Sequence, residues 1–414
     1  MPVFHLAVAA RTIRHAARCV LRQRRRTAVS MGAVAFGVAA LILAGAFVEW
    51  IFWATREGTI YAGLGHIQVA REGFRDSGIS DLEKFRLPAK STLFDSLRND
   101  PAVRTVAPRL SFSGLVSHGD TTISFLGEGL DPDAEVKFHD APMLVKGEIL
   151  SSSAPRELIA GYGLAANLGA TVGDSLVLVT SLRGGGVNAV EARVRGLFAT
   201  VSKAYDDSTI RVPLALANQL MRTEGAHSWV VLLKRTEETR EVLERLRATH
   251  AGSGFEFVPW YELADFYNKT HELLSRQMAV MFAIIGVIIV LTISNSMTMA
   301  VLERTSEIGT AMALGTSRSG VLIQFLGEGL IIGFAGAVIG AVAGVGMAAA
   351  ISAVGIPMPP PPGQARAFTA EMIVTVPLVA KAVALALATA LLASIYPAWK
   401  ASRTQIVDAL RRGR

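Results

Sequence analysis

The chain has 414 residues, 51% of them hydrophobic, and a mean hydropathy of +0.40, which excludes a water-soluble globular protein of ordinary composition and leaves a membrane protein. Its net charge of +7 is not a nucleic-acid signal: residues 1–26 hold seven arginines and no acid, and the remainder balances at 34 basic against 34 acidic residues. A single cysteine, Cys19, excludes an internal disulfide and argues against redox chemistry.

Residues 1–26 place Arg11, Arg14, Arg18 and Arg22 at three- and four-residue spacing, the pattern of an amphipathic helix on an anionic membrane surface. Residues 27–54 form a first apolar span closed by Trp50, Phe52 and Trp53; no small-residue cleavage site follows, so it reads as a retained anchor. Residues 55–276 change in character, with mixed polarity, short alternating runs and turn-forming Gly, Pro and Asp, and predict a folded α/β domain. Two segments within it read as one βαβ unit used twice. The first has a strand at 66–70, a helix near 91–99 and a strand near 103–108; the second has a strand at 228–234, a helix at 237–249 and a strand at 255–258. Between them, about 121–212, the runs LVLVT (176–180), ARVRGLF (192–198) and STIRVPL (208–214) predict an inserted β-rich subdomain. From Trp260 the pattern continues as one helix through Arg276 into a second span, 277–302, which carries no charge in 26 residues. Such a helix would act as a rigid lever.

The segment 303–320 is a short polar piece pinned between two apolar runs. Ile308, Met312 and Leu314 among the small residues Gly309, Ala311 and Ala313 predict a small-faced helix, ended by Gly315, with Ser317 capping the next. A helix of this size suits docking into a partner's groove. The third span, 321–353, carries Gly329, Gly333, Gly336, Gly340 and Gly344, a spacing for close helix packing, with a sliding face as the functional alternative. A loop at 354–371 contains the stiff MPPPPG (358–363), a fourth span at 372–396 is expected to kink near Pro377, and the tail 397–414 is basic. Basic ends flanking an even number of spans place both termini in the cytoplasm, the domain 55–276 outside, and 303–320 at the cytoplasmic face.

No stretch fits GxxxxGK[ST], so a P-loop nucleotide site is not expected, and the eight histidines show no metal-ligand spacing. Ser117, His118 and Asp120 are close in sequence, but beside Gly119 they read as a hairpin turn. Lys381, nine residues into the fourth span, reads as a packed or snorkelling lysine before a substrate or proton site. A transmembrane receptor would need longer cytoplasmic stretches than 303–320 and 397–414, and an intramembrane hydrolase would need clustered polar groups in the spans.

The segment ERTSEIGTAMALGTSRSGVLIQFLGEGLIIG (303–333) resembles the coupling helix and following span of FtsX/MacB-type ABC transporter permeases, and YPAWKASRTQIVDALR (396–411) is similar to that family's ending. GLGHIQVAREGF (63–74), APRLSFSGLVSHG (107–119), GEGLDPDAE (127–135) and LIAGYGLAANLGATVGDSLVLV (158–179) resemble the lipoprotein-releasing, LolC/LolE-like branch. The resemblance implies four transmembrane helices and a large extracytoplasmic α/β domain of a βαβ-repeat part plus an inserted β-rich part, in the bacterial inner membrane. It implies a non-catalytic permease, with ATP and magnesium bound by separate ABC ATPase subunits, paired with a second permease of the same or a different kind. Membrane lipid surrounds it, a periplasmic adaptor or chaperone is left open, and nucleic acid is not a partner. Such permeases work by mechanotransmission, moving lipoprotein or lipid-like cargo; MacB-like efflux of a drug, peptide or small amphiphile is the alternative, and a receptor the remote one. Carried over by position, Glu303, Arg304, Glu307, Ile308, Gly309, Ala313, Leu314 and Gly315 would form the ATPase contact, and Glu328 matches the acidic residue early in the next span. Met312 stands where the family often has a basic residue. A hydrophobic cargo entering sideways between the first two spans would touch Phe47, Trp50, Ile51, Phe282 and Ile285.

Overall fold

The computed structural model describes residues 24–77, 84–88, 91–138, 144–182, 185–200, 202–358 and 368–405; the expected amphipathic arm before residue 24, most of the proline loop and the tail beyond 405 lie outside the described residues. The chain divides into a helical unit (residues up to Ile51, His271–Pro357 and from Thr369) and an α/β unit (Phe52–Thr270 with Met358–Phe368). Among the described residues, four helices are long and apolar enough to cross a membrane.

The first is α1 (Arg24–Thr59), whose end widens into a looser turn, Ile60–Leu64, bent at Gly63 with φ +137°, where a side chain would be strained. The α/β unit then follows with β1 (Ile67–Arg71), α2 (Thr92–Asn99), β2 (Val103–His118), β3 (Thr121–Leu130), β4 (Leu144–Gly147), β5 (Glu157–Gly161), α3 (Tyr162–Leu168), β6 (Ser175–Ser181), β7 (Val187–Phe198), β8 (Thr209–Pro213), α4 (Leu214–Met221), β9 (Ser228–Leu233), α5 (Thr239–Thr249) and β10 (Phe255–Pro259). The two expected βαβ segments interleave: β1 lies between β10 and β9, antiparallel to both, and β9 pairs antiparallel with β2. Leucine or valine every three or four residues gives α2 and α5 one apolar face each. Leu93, Leu97, Val242, Leu243 and Leu246 seat these helices on Ile67, Val69, Trp229, Val231 and Phe257.

β2 belongs to two structures. Val103–Arg109 pairs with β9, and Arg109–His118 pairs with β3. From there the order runs β3, β8, β5, β7, β6, and β6 pairs back onto Leu115–Ser117 of β2. The β-rich part is therefore a six-stranded ring without a free edge among these strands, filled by Leu110, Phe112, Phe125, Leu158, Leu178 and Ile210.

The helical unit continues with α6 (Asp265–Glu303), α7 (Thr305–Ala313), α8 (Arg318–Val354) and α9 (Val376–Ser402). Two expectations are corrected here. The helix expected to run unbroken from Trp260 is interrupted at Ala264 (φ −91°, ψ 62°), and α6 begins at Asp265. Burial is the cause: Trp260 is drawn into a cluster with Ile60, Val230 and Leu232, and its N–H donates to the His66 carbonyl at 3.0 Å. Pro377 does not kink the fourth span but lies in the first turn of α9, where a missing N–H costs little, and Thr375 Oγ1 caps that turn by accepting from the Leu378 N–H at 3.4 Å.

The glycines of α8 serve close packing on two sides. A Cβ added at Gly329 or Gly333 would collide with Ser394 or Ala390 of α9. At Gly336 it would lie 2.7 Å from Val34 Cβ, at Gly340 2.8 Å from Ala35 Cα, and at Gly344 3.1 Å from Ala39 Cα, all on α1. Only residues without a side chain let backbones approach this closely.

Candidate functional site: a short helix clamped between two spans

Arg304 leaves helical geometry (φ −103°, ψ 16°) and separates α6 from α7. Gly315, at φ +101°, ends the turn after α7, and Ser317 Oγ accepts from the Gly320 N–H at 3.1 Å to start α8. Arg304 itself holds the corner. Its Nη1 donates to both carboxylate oxygens of Glu328 (3.1 and 3.3 Å), its Nε to Glu307 (3.3 Å), and its guanidinium lies 5.7 Å from the centre of the Phe325 ring. The Glu328 side chain keeps 6% of its exposure, and Gln324 Nε2 donates to it at 3.4 Å. A carboxylate this deep must be paired, so Arg304 and Glu328 lock α7 onto α8. One residue earlier, Glu303 accepts from Arg26 Nη1 of α1 at 2.8 Å, at a much more exposed site.

The proposed contact residues fall into three groups. Ile308 and Gly309 are buried, with Ile308 in the core of the helical unit alongside Met297, Val301 and Phe325. Arg304 and Glu303 are engaged as described. Glu307, Ala313, Leu314 and Gly315 are exposed, and Leu314 reaches 84%. Glu307, Thr310 and Leu314 stand at i, i+3 and i+7, so one face of α7 is presented outward, an acid at one end and an unpartnered leucine at the other. Thr310 was not singled out by the sequence motif; its exposure follows from the inward turn of Ile308 and Gly309. Met312 is half-buried against the same core.

The residues proposed to meet cargo separate into two places. Phe47 and Trp50 stack with ring centres 6.3 Å apart, and Trp50 is buried; Ile51 is half-buried. Ile285 packs on Gly37 of α1, its Cγ2 3.1 Å from where a Cβ would stand, so α1 and α6 touch at this level. Phe282 lines an apolar groove with Gly286 and Val290 of α6 and Leu385 and Thr389 of α9.

The α/β unit holds a second buried polar cluster. Arg109 Nη2 donates to Glu135 (2.7 and 2.9 Å), Arg211 Nε to Glu128 (3.1 Å) and Arg211 Nη2 to Tyr205 Oη (3.1 Å). A Cβ on Gly63 would lie 2.6 Å from Arg109 and 2.8 Å from Arg211, so only glycine admits both guanidiniums against that turn. Burial alone would raise the Glu128 carboxyl, but the Arg211 and Arg109 guanidiniums outweigh it and hold it below the usual range. Burial also raises the Tyr205 phenol, and two buried histidines, His66 and His227, are lowered to about 4 by desolvation, with Arg56 adding to the effect at His66. His118 faces the Leu168 carbonyl (3.2 Å) and Asp174 (3.8 Å), while Ser117 bonds Thr122 (2.8 Å), so these residues form a hairpin end and not a triad. Among the described residues no group of three His, Cys, Asp or Glu could hold a metal.

Four apolar spans, with an α/β domain between the first two along the chain and a clamped helix between the second and third, define a multi-pass membrane protein. Residues 27–249 match the MacB-like periplasmic core domain family, and residues 279–406 match the FtsX-like permease C-terminal family. The chain is 26% identical over 224 residues to an uncharacterised ABC transporter permease of Methanocaldococcus jannaschii, covering 50% of this chain and 52% of that one. It is 24% identical over 400 residues to the lipoprotein-releasing system transmembrane protein LolC of Neisseria meningitidis serogroup B, covering 93% and 94%. Over 221 residues it is 34% identical to the pyoverdine export ATP-binding/permease protein PvdT of Pseudomonas savastanoi pv. phaseolicola, covering 51% and 31%. The chain thus spans about half of the archaeal permease and about a third of PvdT. It belongs to the ABC transporter permeases of the FtsX/MacB type.

Proposed function

We propose that this chain is the permease of a mechanotransmission ABC transporter in a bacterial inner membrane, with both termini and α7 in the cytoplasm and the α/β unit outside. ATP and magnesium are bound by a separate ATPase, which docks on the outward face of α7, and a second permease completes the complex. The observation that carries this reading is the clamp: Arg304 and Glu328 hold α7 rigidly to α8 while Glu307, Thr310 and Leu314 stay exposed. A push on that face is delivered to two spans at once, because α6 enters the corner and α8 leaves it. Basic chain ends on either side of four spans support the orientation.

The cargo reading is lipoprotein or lipid-like material, supported by the match to LolC along nearly its whole length. Export of a small amphiphile through an adaptor is the second reading, favoured by the MacB-like core domain and the PvdT relative. The test is co-purification with the native ATPase and its hydrolysis in nanodiscs. Leu314→Asp with Glu307→Lys should abolish ATPase association while the permease stays monodisperse. Unchanged association and turnover would remove α7 as the docking element. Release of a radiolabelled lipoprotein from spheroplasts, against export of a fluorescent amphiphile, separates the two cargo readings.

A further inference from the structure

His66 is fully buried just before β1, and both of its ring nitrogens are bonded in a chain with one direction. The Leu233 N–H of β9 donates to Nδ1 at 3.0 Å. Nδ1 is therefore bare, and the neutral ring carries its proton on Nε2, which donates to Thr236 Oγ1 at 3.0 Å. The Thr236 hydroxyl gives its own proton to Glu57, with the two carboxylate oxygens at 3.2 and 3.3 Å. Glu57 stands near the end of α1, and that end, Phe52–Thr59, belongs to the α/β unit.

This chain of bonds works with one proton on the ring and fails with two. A second proton, on Nδ1, sets two donors face to face at 3.0 Å and leaves the buried Leu233 N–H without its acceptor. The ring can leave while its backbone stays. The His66 N–H donates to the Val231 carbonyl at 2.9 Å, and the His66 carbonyl accepts from the Trp260 N–H at 3.0 Å. The groups that face the ring are Arg56 and Glu57 of α1, Tyr61 edge-on at 6.3 Å in the turn that follows, and Glu237 just after β9. Burial and the Arg56 guanidinium oppose the second proton, Glu237 favours it, and the balance lowers the ring from 6.5 to about 4. A released, solvated ring returns to its ordinary value, so acid favours release about ten-fold per pH unit between 6.5 and 4, and about 300-fold across that window.

We infer that Glu57, Thr236 and His66 form an acid-released latch, in which a second proton on the His66 ring breaks the chain of bonds and frees the end of α1 to turn against β9. Ile60, packed with Val230 and Leu232, keeps the helix end from detaching altogether. What the latch does for transport rests on the permease reading above, which puts this ring outside the membrane, where it meets the pH of the surroundings. Acid then uncouples α1 from the domain it moves.

The test places spin labels at Trp53→Cys on α1 and Glu244→Cys on α5, both exposed, in the full-length Cys19→Ser chain in nanodiscs. Pulsed electron paramagnetic resonance reads their distance, with Ser124→Cys and Glu191→Cys on the barrel as the reference pair. As pH falls from 7 to 4 the first distribution should broaden at least two-fold and recover on neutralisation, while the reference pair keeps its width. His66→Asn, whose Oδ1 accepts from the Leu233 N–H without titrating, should stay narrow throughout. Glu57→Gln, which keeps an acceptor, should follow the wild-type response. Thr236→Val, which cuts the chain while the ring is neutral, should be broad already at pH 7. A wild-type distribution that stays narrow to pH 4 would overturn the inference, as would equal broadening in His66→Asn, which titration of His227 would give. So would a narrow Thr236→Val, a Glu57→Gln without the response, or a reference pair that broadens in step. The labels need neither ATPase nor cargo, so a latch that fails leaves the permease reading intact. Acid release in a chain that recruits no ATPase would support the latch and sink the reading of what it uncouples.

Discussion

α8 and α6 are nearly equal in length and hydropathy, yet they are built for opposite purposes. α8 is wedged, its glycines pressed against α9 on one side and α1 on the other, whereas α6 keeps β-branched and leucine side chains on an outward stripe. Apolar composition alone states that a helix crosses the membrane; the distribution of small residues states which faces are closed. The largest effect that would sharpen this contrast is at Gly340, where a side chain meets the Ala35 backbone and nothing flexible can yield. Gly340→Leu should cost more than about 3 kcal/mol, enough to abolish a monodisperse peak in size-exclusion chromatography, because overpacking against backbone is not relieved by rotamer change. Gly346→Leu, with nothing within 4 Å of its Cβ position, should stay within about 0.5 kcal/mol of wild type. Equal behaviour of the two variants would break the comparison.

The corner between the two helices comes next in size. Arg304→Ala leaves Glu328 buried beside Phe325 with only Gln324 to bond it, and should cost about 3–5 kcal/mol, seen as a fall in melting temperature in detergent. Arg304→Ala with Glu328→Leu, which removes both charges, should recover most of that loss. If the double variant is no more stable than the single one, the pair is not what holds α7 to α8.

The α/β unit adds a dependence on pH through two buried histidines. His66 is fully buried, its Nδ1 accepting from the Leu233 N–H at 3.0 Å, and both His66 and His227 are lowered to about 4 from the ordinary 6.5. The neutral form is the folded form, so in the unfolded chain these histidines take up protons below pH 6.5 while the folded chain does not until about 4. Stability therefore falls as pH drops through that window, by roughly 3 kcal/mol per histidine at its lower end. Melting temperatures across pH 7 to 4 should show this slope, and His66→Gln should flatten part of it. A flat profile in the wild-type chain would remove the buried-neutral assignment.

How far the sequence could be read follows from separation along the chain. The spans were legible because 26 consecutive uncharged residues have no other common meaning, and the end of α7 and the start of α8 because Gly315 and Ser317 act on their immediate neighbours. The two βαβ units were legible as elements, but their interleaving was not, since nothing local in β1 says that it lies between β9 and β10. Closure of the barrel depends on Leu115 meeting Val179, and the clamp on Arg304 meeting Glu328, pairings decided by the assembled fold. Trp260 shows the remaining kind of failure, where a helical pattern was correct in period but a buried ring claimed the first turn for another core. The presented face of α7 could have been narrowed from sequence by asking which of Ile308 and Leu314 shares a stripe with Val301 and Met297, because the inward residue is the one that continues that stripe.

The smallest effect is expected one residue before the clamp. Arg26 and Glu303 form a bridge of the same chemistry as Arg304 and Glu328, at 2.8 Å, but their side chains keep 26% and 56% of their exposure. Water and salt therefore compete for both partners, and Arg26→Ala should cost between 0 and about 1 kcal/mol, shrinking further in high salt. Because this bridge joins the start of α1 to the end of α6, it also separates holding from steering. If Arg26→Ala leaves the melting temperature and ATPase turnover unchanged, the proposed mechanical path does not need this bridge. A loss of turnover at unchanged stability would place α1 in that path as well, since the substitution removes nothing else that the helical unit needs to stay folded.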